Sequence, residues 1–238
     1  SINLPSGSTL AVVGESGSGK STLARCLLQL QPLDSGEVLF KGQDLAKFQP
    51  AALREMRRNL QMVFQDPFAS LNPRMRVGEI VGEGLLIHGL GSTAEQQKKV
   101  IAMLKRVGLA EADMQKYPHE FSGGQRQRIG IARALVLHPQ VVVCDEPVSA
   151  LDVSIQAQIL LLLKDLQEEM ALSYIFISHD LRVVRHIADD IVVMYHGEVV
   201  EQGKVADVYA EPQHSYTRNL LAAIPGKEAV TGKKVVNA

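Results

Sequence analysis

Three things are scarce in this 238-residue chain, and each shortage removes a class of protein. No stretch approaches about 18 uninterrupted apolar residues, so no segment is expected to cross a bilayer as a helix. Only two cysteines occur, Cys26 and Cys144, both inside apolar segments. They read as small buried side chains in a reducing compartment, not as a disulfide framework or a metal site. Net charge is nearly absent, at -1 with a pI near 6.6, so nothing at whole-chain level favours a nucleic-acid backbone. The opening residues show neither a basic n-region nor a cleavable apolar segment, and no secretory leader is expected there. Internal repeats and low-complexity tracts are also lacking. What remains, 46% hydrophobic and 21% charged residues, argues against disorder and for one large α/β domain, with or without a smaller attached subdomain.

One stretch organises the rest. Residues 14–22, GESGSGKST, follow the apolar run 10–13 and precede an apolar-periodic segment at 23–30, which sets them between a strand and a helix. The pattern G-x-x-x-x-G-K-[ST] in that setting predicts a phosphate loop. Successive backbone N–H groups face one anion, Lys20 reaches the terminal phosphates, and the Ser21 hydroxyl ligates a magnesium ion. Gly14, Ser16, Gly17, Ser18, Gly19, Lys20, Ser21 and Thr22 are the candidate nucleotide-binding residues.

Periodicity and punctuation lay out the other elements. A helix is expected over 20–30, ended by Pro32 and Gly36, then a short strand over 37–40 in a minor sheet. A surface helix with a solvated basic face is expected over 50–58, and a strand over 60–64 delivers Gln65. In DPFASLNPR, Pro67 and Pro73 are expected to forbid a regular element. A helical insert follows from Val77 to about Met114, broken at 89–92 and at Gly108. Ser122 suits the N-cap of a helix running to Leu137, with Pro139 as its stop. Residues 141–144 read as a strand buried on both faces. A helix over 153–170, a strand over 174–178, a helix over 181–186 and extended segments over 191–195 and 198–201 follow. Further helical material around Pro212 fills 204–223, and a frayed end is expected over 225–238.

Four strands thus end in polar side chains: Gly14 onward, Gln65, Asp145 with Glu146, and His179. In a parallel sheet, ligands collect beyond the carboxyl ends of the strands, so these residues are expected to converge on the phosphates. Asp145 is placed to hold hydrated magnesium beside Ser21. Glu146 is the candidate that orients and polarises the attacking water. Gln65 would ligate magnesium through its carbonyl and bond the water through its amide. His179 would donate to the terminal phosphate, with its other nitrogen held by backbone. The remaining six histidines have no partner at ligand spacing, so no transition metal is assigned. Ser122, Gly123, Gly124 and Gln125 form either an ordinary helix cap or a second anion site; in the latter case they complete the site of another chain.

Taken together, GESGSGKST, Gln65, FSGGQ at 121–125, VVVCDE at 141–146, SALD at 149–152 and His179 resemble the nucleotide-binding subunit of an ABC transporter, over nearly the entire chain. The resemblance implies an α/β fold: a P-loop NTPase core with a mostly parallel sheet, a small antiparallel β-subdomain and an inserted helical subdomain. Residues 1–65 and 138–203 would form the nucleotide-binding core, 66–137 the helical subdomain, and 204–238 a helical extension and tail. Such subunits place strands, and an aromatic residue that stacks on adenine, ahead of the phosphate loop, so the amino-terminal end is expected to be missing. ATP and Mg2+ would be the ligands, bound in a head-to-tail dimer with a second ATP-binding domain. Ser122, Gly123, Gly124 and Gln125 would face the partner's terminal phosphate, and Asp152 would lie in the loop that communicates across the dimer. Phe121 stands where many members have leucine.

FQDPFASLNPR at 64–74, YPHEFSGGQRQRIGIARAL at 117–135, EPVSALDVSIQAQIL at 146–160 and HSYTRNLLAAIP at 214–225 are similar, more narrowly, to the ATPases of bacterial oligopeptide and dipeptide importers, a group that includes nickel and glutathione importers. This implies ATP hydrolysis coupled to import of a peptide or similar small solute, at the cytoplasmic face of the bacterial membrane. The 66–76 region would contact the permease subunits, a solute-binding protein would be engaged indirectly, and no nucleic acid would be bound. The alternative is a soluble ABC ATPase of translation, repair or cofactor assembly, which a long inserted coiled coil or a second fused core would favour; neither occurs. A P-loop kinase would have no use for FSGGQ and SALD.

Overall fold

The apolar run ahead of the glycine-rich loop becomes β1 (Thr9–Val13), all of it buried, and the segment behind the loop becomes α1 (Lys20–Leu27). The computed structural model describes residues 1–224, so the end expected over 225–238 lies outside the described residues. α1 stops before the expected Leu30 because Gln29 turns left-handed (φ 52°). Its N–H donates to the Cys26 carbonyl at 3.0 Å and that of Leu30 to the Arg25 carbonyl at 2.8 Å, the paired bonds of a Schellman cap. Pro32 is therefore not what ends the helix.

A two-stranded antiparallel hairpin follows, β2 (Leu39–Phe40) and β3 (Gln43–Asp44), the second strand too short and polar to register as one in the sequence. α2 (Pro50–Met56) and the turn that follows it carry the three arginines, and two of them are not simply solvated. Arg54 donates to the Ile87 carbonyl (2.8 Å) and Arg57 to the Gln29 carbonyl (2.6 Å), each at a helix terminus where carbonyls lack intrahelical donors. Arg58, half-buried, pairs instead with the exposed Glu55.

β4 (Leu60–Val63) leads into DPFASLNPR, where the prolines were expected to exclude regular structure. Instead Pro67 opens a short helix, α3 (Pro67–Ser70). At the first helical position proline's missing N–H costs nothing, and the Asp66 carboxylate caps the turn by accepting from Phe68 N (2.7 Å) and Ala69 N (3.2 Å). α4 (Val77–Ile87) and α5 (Thr93–Arg106) are separated at the expected glycines, and Ser92 and Glu95 form the capping box of α5. α6 (Gly123–Leu135) is capped by Ser122 as anticipated. Then come β5 (Val141–Asp145), α7 (Val153–Met170), β6 (Ser173–Ser178), α8 (Leu181–Ile187), β7 (Asp190–Tyr195), β8 (Glu198–Lys204), α9 (Val205–Ala210) and α10 (Ser215–Ala222).

The main sheet runs β4-β5-β6-β1-β7-β8, parallel except for the edge strand β8. β5 lies between β4 and β6 and is buried beyond Val141, as its unbroken apolar run demands. Alternation along the strands sorts side chains onto two faces. Leu10, Val12, Val143, Ile175 and Ile177 pack with Ala24 and Leu28 on one. Val142, Cys144, Tyr174 and Phe176 pack on the other with Val81, Leu104, Ile129 and Leu163, so helices α4 to α7 share one continuous core with the sheet. Cys144 is fully buried and burial pushes its thiol up, whereas Cys26 is half-buried. Because β4, β5, β6 and β1 are consecutive and parallel, their carboxyl ends meet at one rim.

Candidate active site

The rim begins with the glycine-rich loop, pressed against the end of β7. A Cβ on Gly14 would lie 2.2 Å from the Met194 carbonyl oxygen and 2.7 Å from Ser18 Oγ, and its φ of 153° is itself unfavourable for any side chain, so only glycine closes this turn. Gly19 precedes α1 and no side chain caps the helix, which leaves its first N–H groups facing the loop interior. Lys20 is almost fully buried; its Nζ donates to the carbonyls of Gly14 and Glu15, both at 2.8 Å. Burial lowers its pKa, and the charges of Glu146 and Asp145 oppose that shift.

Two carboxylates stand opposite. Asp145 ends β5 and is buried, and its Oδ1 accepts from Ser21 Oγ at 3.3 Å. Burial pushes its carboxyl above the ordinary range, with the Glu146 charge adding to the shift and the Ser21 hydroxyl opposing it. Glu146 turns away sharply, in a left-handed conformation (φ 44°) that its backbone bonds impose. Its N–H donates to the Ile177 carbonyl (3.0 Å), and its own carbonyl accepts from Ser149 N and Ser149 Oγ. A non-glycine residue held there stores strain of the sort found where a side chain must be aimed.

Glu146 Oε2 accepts from Gln65 Nε2 at 3.1 Å and lies 3.0 Å from His179 Nδ1. Three strand ends thus meet at one carboxylate oxygen. The expected backbone partner of His179 is replaced by this carboxylate, which leaves Nε2 as the ring's outward nitrogen. The Gln65 amide engages Glu146, and no hydrogen bond ties it to the Ser21–Asp145 pair.

The chain's own groups fit a magnesium nucleotide. Ser18 Oγ is buried inside the loop with no partner among the described residues, a donor without an acceptor. The hydroxyl–carboxylate pair of Ser21 and Asp145 is an oxygen set of the kind a hard cation takes. Among the described residues no group of three or more His, Cys, Asp or Glu clusters as a metal site.

Ser122, Gly123, Gly124 and Gln125 sit elsewhere. Ser122 Oγ and the Gln125 side chain close a capping box, and no hydrogen bond among the described residues joins them to residues 14–22. They pack on the start of α7: a Cβ on Gly123 would lie 3.4 Å from Leu151 Cδ2, and one on Gly124 only 2.6 Å from Ile155 Cγ2. Asp152 is the N-cap residue of α7 but makes no side-chain cap bond and is exposed. Arg126, in the same helix, was not singled out by its sequence. Its guanidinium stacks 3.8 Å over the Phe68 ring and bonds the Pro118 and His119 carbonyls. Met194 and Tyr216 touch the phosphate loop from β7 and α10; Met194 carries no motif, and Tyr216 lies in the HSYTRNLLAAIP segment, which gave no hint of a contact with the loop.

The sequence profile described as "ABC transporter" matches residues 1–149. The chain is 54% identical over 225 residues to the dipeptide transport ATP-binding protein DppF of Escherichia coli, covering 94% of this chain and 67% of that protein. It is 55% identical over 226 residues to the oligopeptide transport ATP-binding protein OppF of Haemophilus influenzae, covering 94% and 68%. Among solved structures, cbiO1 of Clostridium perfringens, described as part of the ABC transporter complex cbiONQ, superposes with a TM-score of 0.80 at 32% identity over 88% of this chain and 82% of its own. The ATP-binding cassette MJ0796, solved as a dimer in a post-hydrolysis state with ADP and Pi, gives 0.77 at 32% identity over 86% and 88%. On profile, relatives and fold alike, this chain belongs to the ABC transporter family.

Proposed function

We propose that this chain is the ATP-hydrolysing subunit of a bacterial peptide importer, acting at the cytoplasmic face of the membrane. The observation that carries the catalytic reading is the grip of Gln65 and His179 on one oxygen of Glu146, at the rim that also holds Lys20, Ser21 and Asp145. The importer reading is supported by the names of the relatives, which are dipeptide and oligopeptide transport ATP-binding proteins. No helix among the described residues is long and apolar enough to cross a membrane, and membrane-spanning permease subunits are the partners this reading assigns.

Residues 14–22 wrap the phosphates with backbone N–H groups, and Ser18 Oγ gains there the partner it lacks. Lys20 moves from the Gly14 and Glu15 carbonyls to the terminal phosphates. Ser21, Asp145 and Gln65 would hold Mg2+, which would supply neutralisation of charge on the phosphate oxygens. Glu146 orients the attacking water and takes its proton, while Gln65 and His179 fix the carboxylate's direction. His179 Nε2 faces the terminal phosphate.

Residues 122–125 face the phosphate of a second ATP-binding domain in a head-to-tail dimer, with Asp152 at the junction; the dimeric cassette structures among the fold's neighbours support that arrangement. Residues 66–76 meet the permease, consistent with the exposed Phe68 ring beside them. The solute-binding protein is reached only through the permease, and no nucleic acid is a partner. Residues 1–65 and 138–203 make the nucleotide-binding unit, 66–137 the helical unit and 204–238 the extension. Phosphate release by the chain with its partners, compared with Glu146→Gln, tests the assignment. A loss of about 100-fold or more with nucleotide still bound is expected; equal release refutes it.

A further inference from the structure

The segment 214–225 takes no part in the chemistry above, yet its helix α10 reaches the phosphate loop. The Tyr216 hydroxyl oxygen accepts a hydrogen bond from the Glu15 backbone N–H at 2.9 Å, across 201 positions of sequence. That N–H shares a peptide plane with the Gly14 carbonyl, and in a trans peptide the two point in opposite directions. The Gly14 carbonyl accepts from Lys20 Nζ at 2.8 Å. One rigid plane therefore has Tyr216 on one edge and the loop's lysine on the other.

The seat of Tyr216 is built independently of the loop. Thr217 and Leu221 are buried, Leu221 among Val13, Val193 and Val208. The Gln213 and His214 N–H groups donate to the two Glu201 carboxylate oxygens at 2.7 and 3.0 Å, and His214 Nδ1 accepts from Tyr216 N at 3.2 Å. Arg218 ties the helix start to the Pro212 and Gln213 carbonyls. The Tyr216 ring lies against that of Tyr195, 4.3 Å between centroids, at the end of β7. The turn that follows holds the loop from the same side, with Gly197 N donating to the Ser18 carbonyl at 3.1 Å. Burial pushes the Tyr216 phenol up, so its oxygen stays a neutral acceptor.

We propose that Tyr216 is a positioning residue of the phosphate loop: α10 fixes the Gly14–Glu15 peptide plane, and through it the curvature of the loop and the approach of Lys20 to phosphate. The inference rests on the nucleotide-site reading given above. It makes the helical extension part of the nucleotide site and gives whatever engages α10 a direct hold on nucleotide affinity.

The test is Tyr216→Phe, which removes the acceptor and keeps the ring, read by titration of the full chain with a fluorescent ADP analogue and magnesium. Arg218→Ala is the control, since it loosens the same helix without touching the loop. Affinity about three- to tenfold weaker in Tyr216→Phe, with Arg218→Ala close to the unsubstituted chain, is the expected result. Unchanged affinity in Tyr216→Phe overturns the proposal, whatever its melting midpoint. Equal weakening in both variants also overturns it, because loosened helix docking then suffices. Failure of the unsubstituted chain to bind the analogue would instead bring down the nucleotide-site reading itself.

Discussion

Replacing Gly124 by alanine separates two reasons for a glycine in the FSGGQ segment. An added Cβ would sit 2.6 Å from Ile155 Cγ2, where ordinary contact begins at 3.4 Å, so the two helices or the isoleucine must yield by 0.8 Å (3.4 − 2.6). Ile155 is β-branched and lies in the first turns of α7, where χ1 is confined to one strongly preferred rotamer, so its methyl does not swing aside freely. Forcing one extra carbon into such a contact costs about 1–3 kcal/mol. Alanine's better helix propensity returns at most about 1 kcal/mol. With that return in full a net cost of about 0–2 kcal/mol remains, and for a chain of this size that lowers the melting midpoint by up to roughly 8 °C. The assay is thermal unfolding of the nucleotide-free chain, with Ile155→Leu as the partner substitution because it moves the branch off Cβ at constant volume. Gly124→Ala should melt early and Gly124→Ala with Ile155→Leu should recover much of the loss. A Gly124→Ala chain that melts at or above the unsubstituted one, or a loss that Ile155→Leu leaves untouched, refutes the argument. If it stands, loss of turnover in Gly124→Ala reports helix packing as well as any contact with a partner's phosphate.

Asp145 supplies a prediction with a definite sign. Its folded pKa is raised, so between the ordinary carboxylate range and that raised value the folded chain holds more protons than the unfolded one, and stability falls as pH rises through the window. Asp145→Asn should therefore raise the melting midpoint of the nucleotide-free chain at neutral pH while abolishing magnesium-dependent nucleotide binding. The gap in midpoint should close as pH drops to the ordinary carboxylate range, and a gap independent of pH would contradict the assignment. Arg126→Lys should cost about 1–3 kcal/mol in urea unfolding, since an ammonium cannot both stack on Phe68 and reach the Pro118 and His119 carbonyls.

The parts of the site that follow from unbroken local pattern were legible. β5 is an apolar run ending in two acids, and the phosphate loop is a motif between a strand and a helix, so Asp145, Glu146 and Lys20 could be placed by their neighbours alone. Proline in DPFASLNPR misled because the same ring that breaks a helix interior opens a helix at its first position, and only the Asp66 bonds decide which applies. Gln29 ending α1 left no mark, because a left-handed glutamine looks like any other. The shared oxygen of Glu146 depends on a backbone turn at φ 44° and on three strands in register, and Tyr216 depends on a contact spanning most of the chain. These are tertiary facts with no sequence period.

Lys20 offers a last consequence. Its ammonium already has two carbonyl oxygens at 2.8 Å, so in the proposed role phosphate would not meet a bare cation but would have to displace existing ligands. Capture at this loop is an exchange reaction, and its yield depends on how much better the incoming anion is than the backbone it replaces. A small monovalent anion sets one charge against the two carbonyls it replaces and must be stripped of its own water to do so. A triphosphate gains a great deal. On the proposed role, the lysine's own resting place sets the threshold that an incoming anion must exceed.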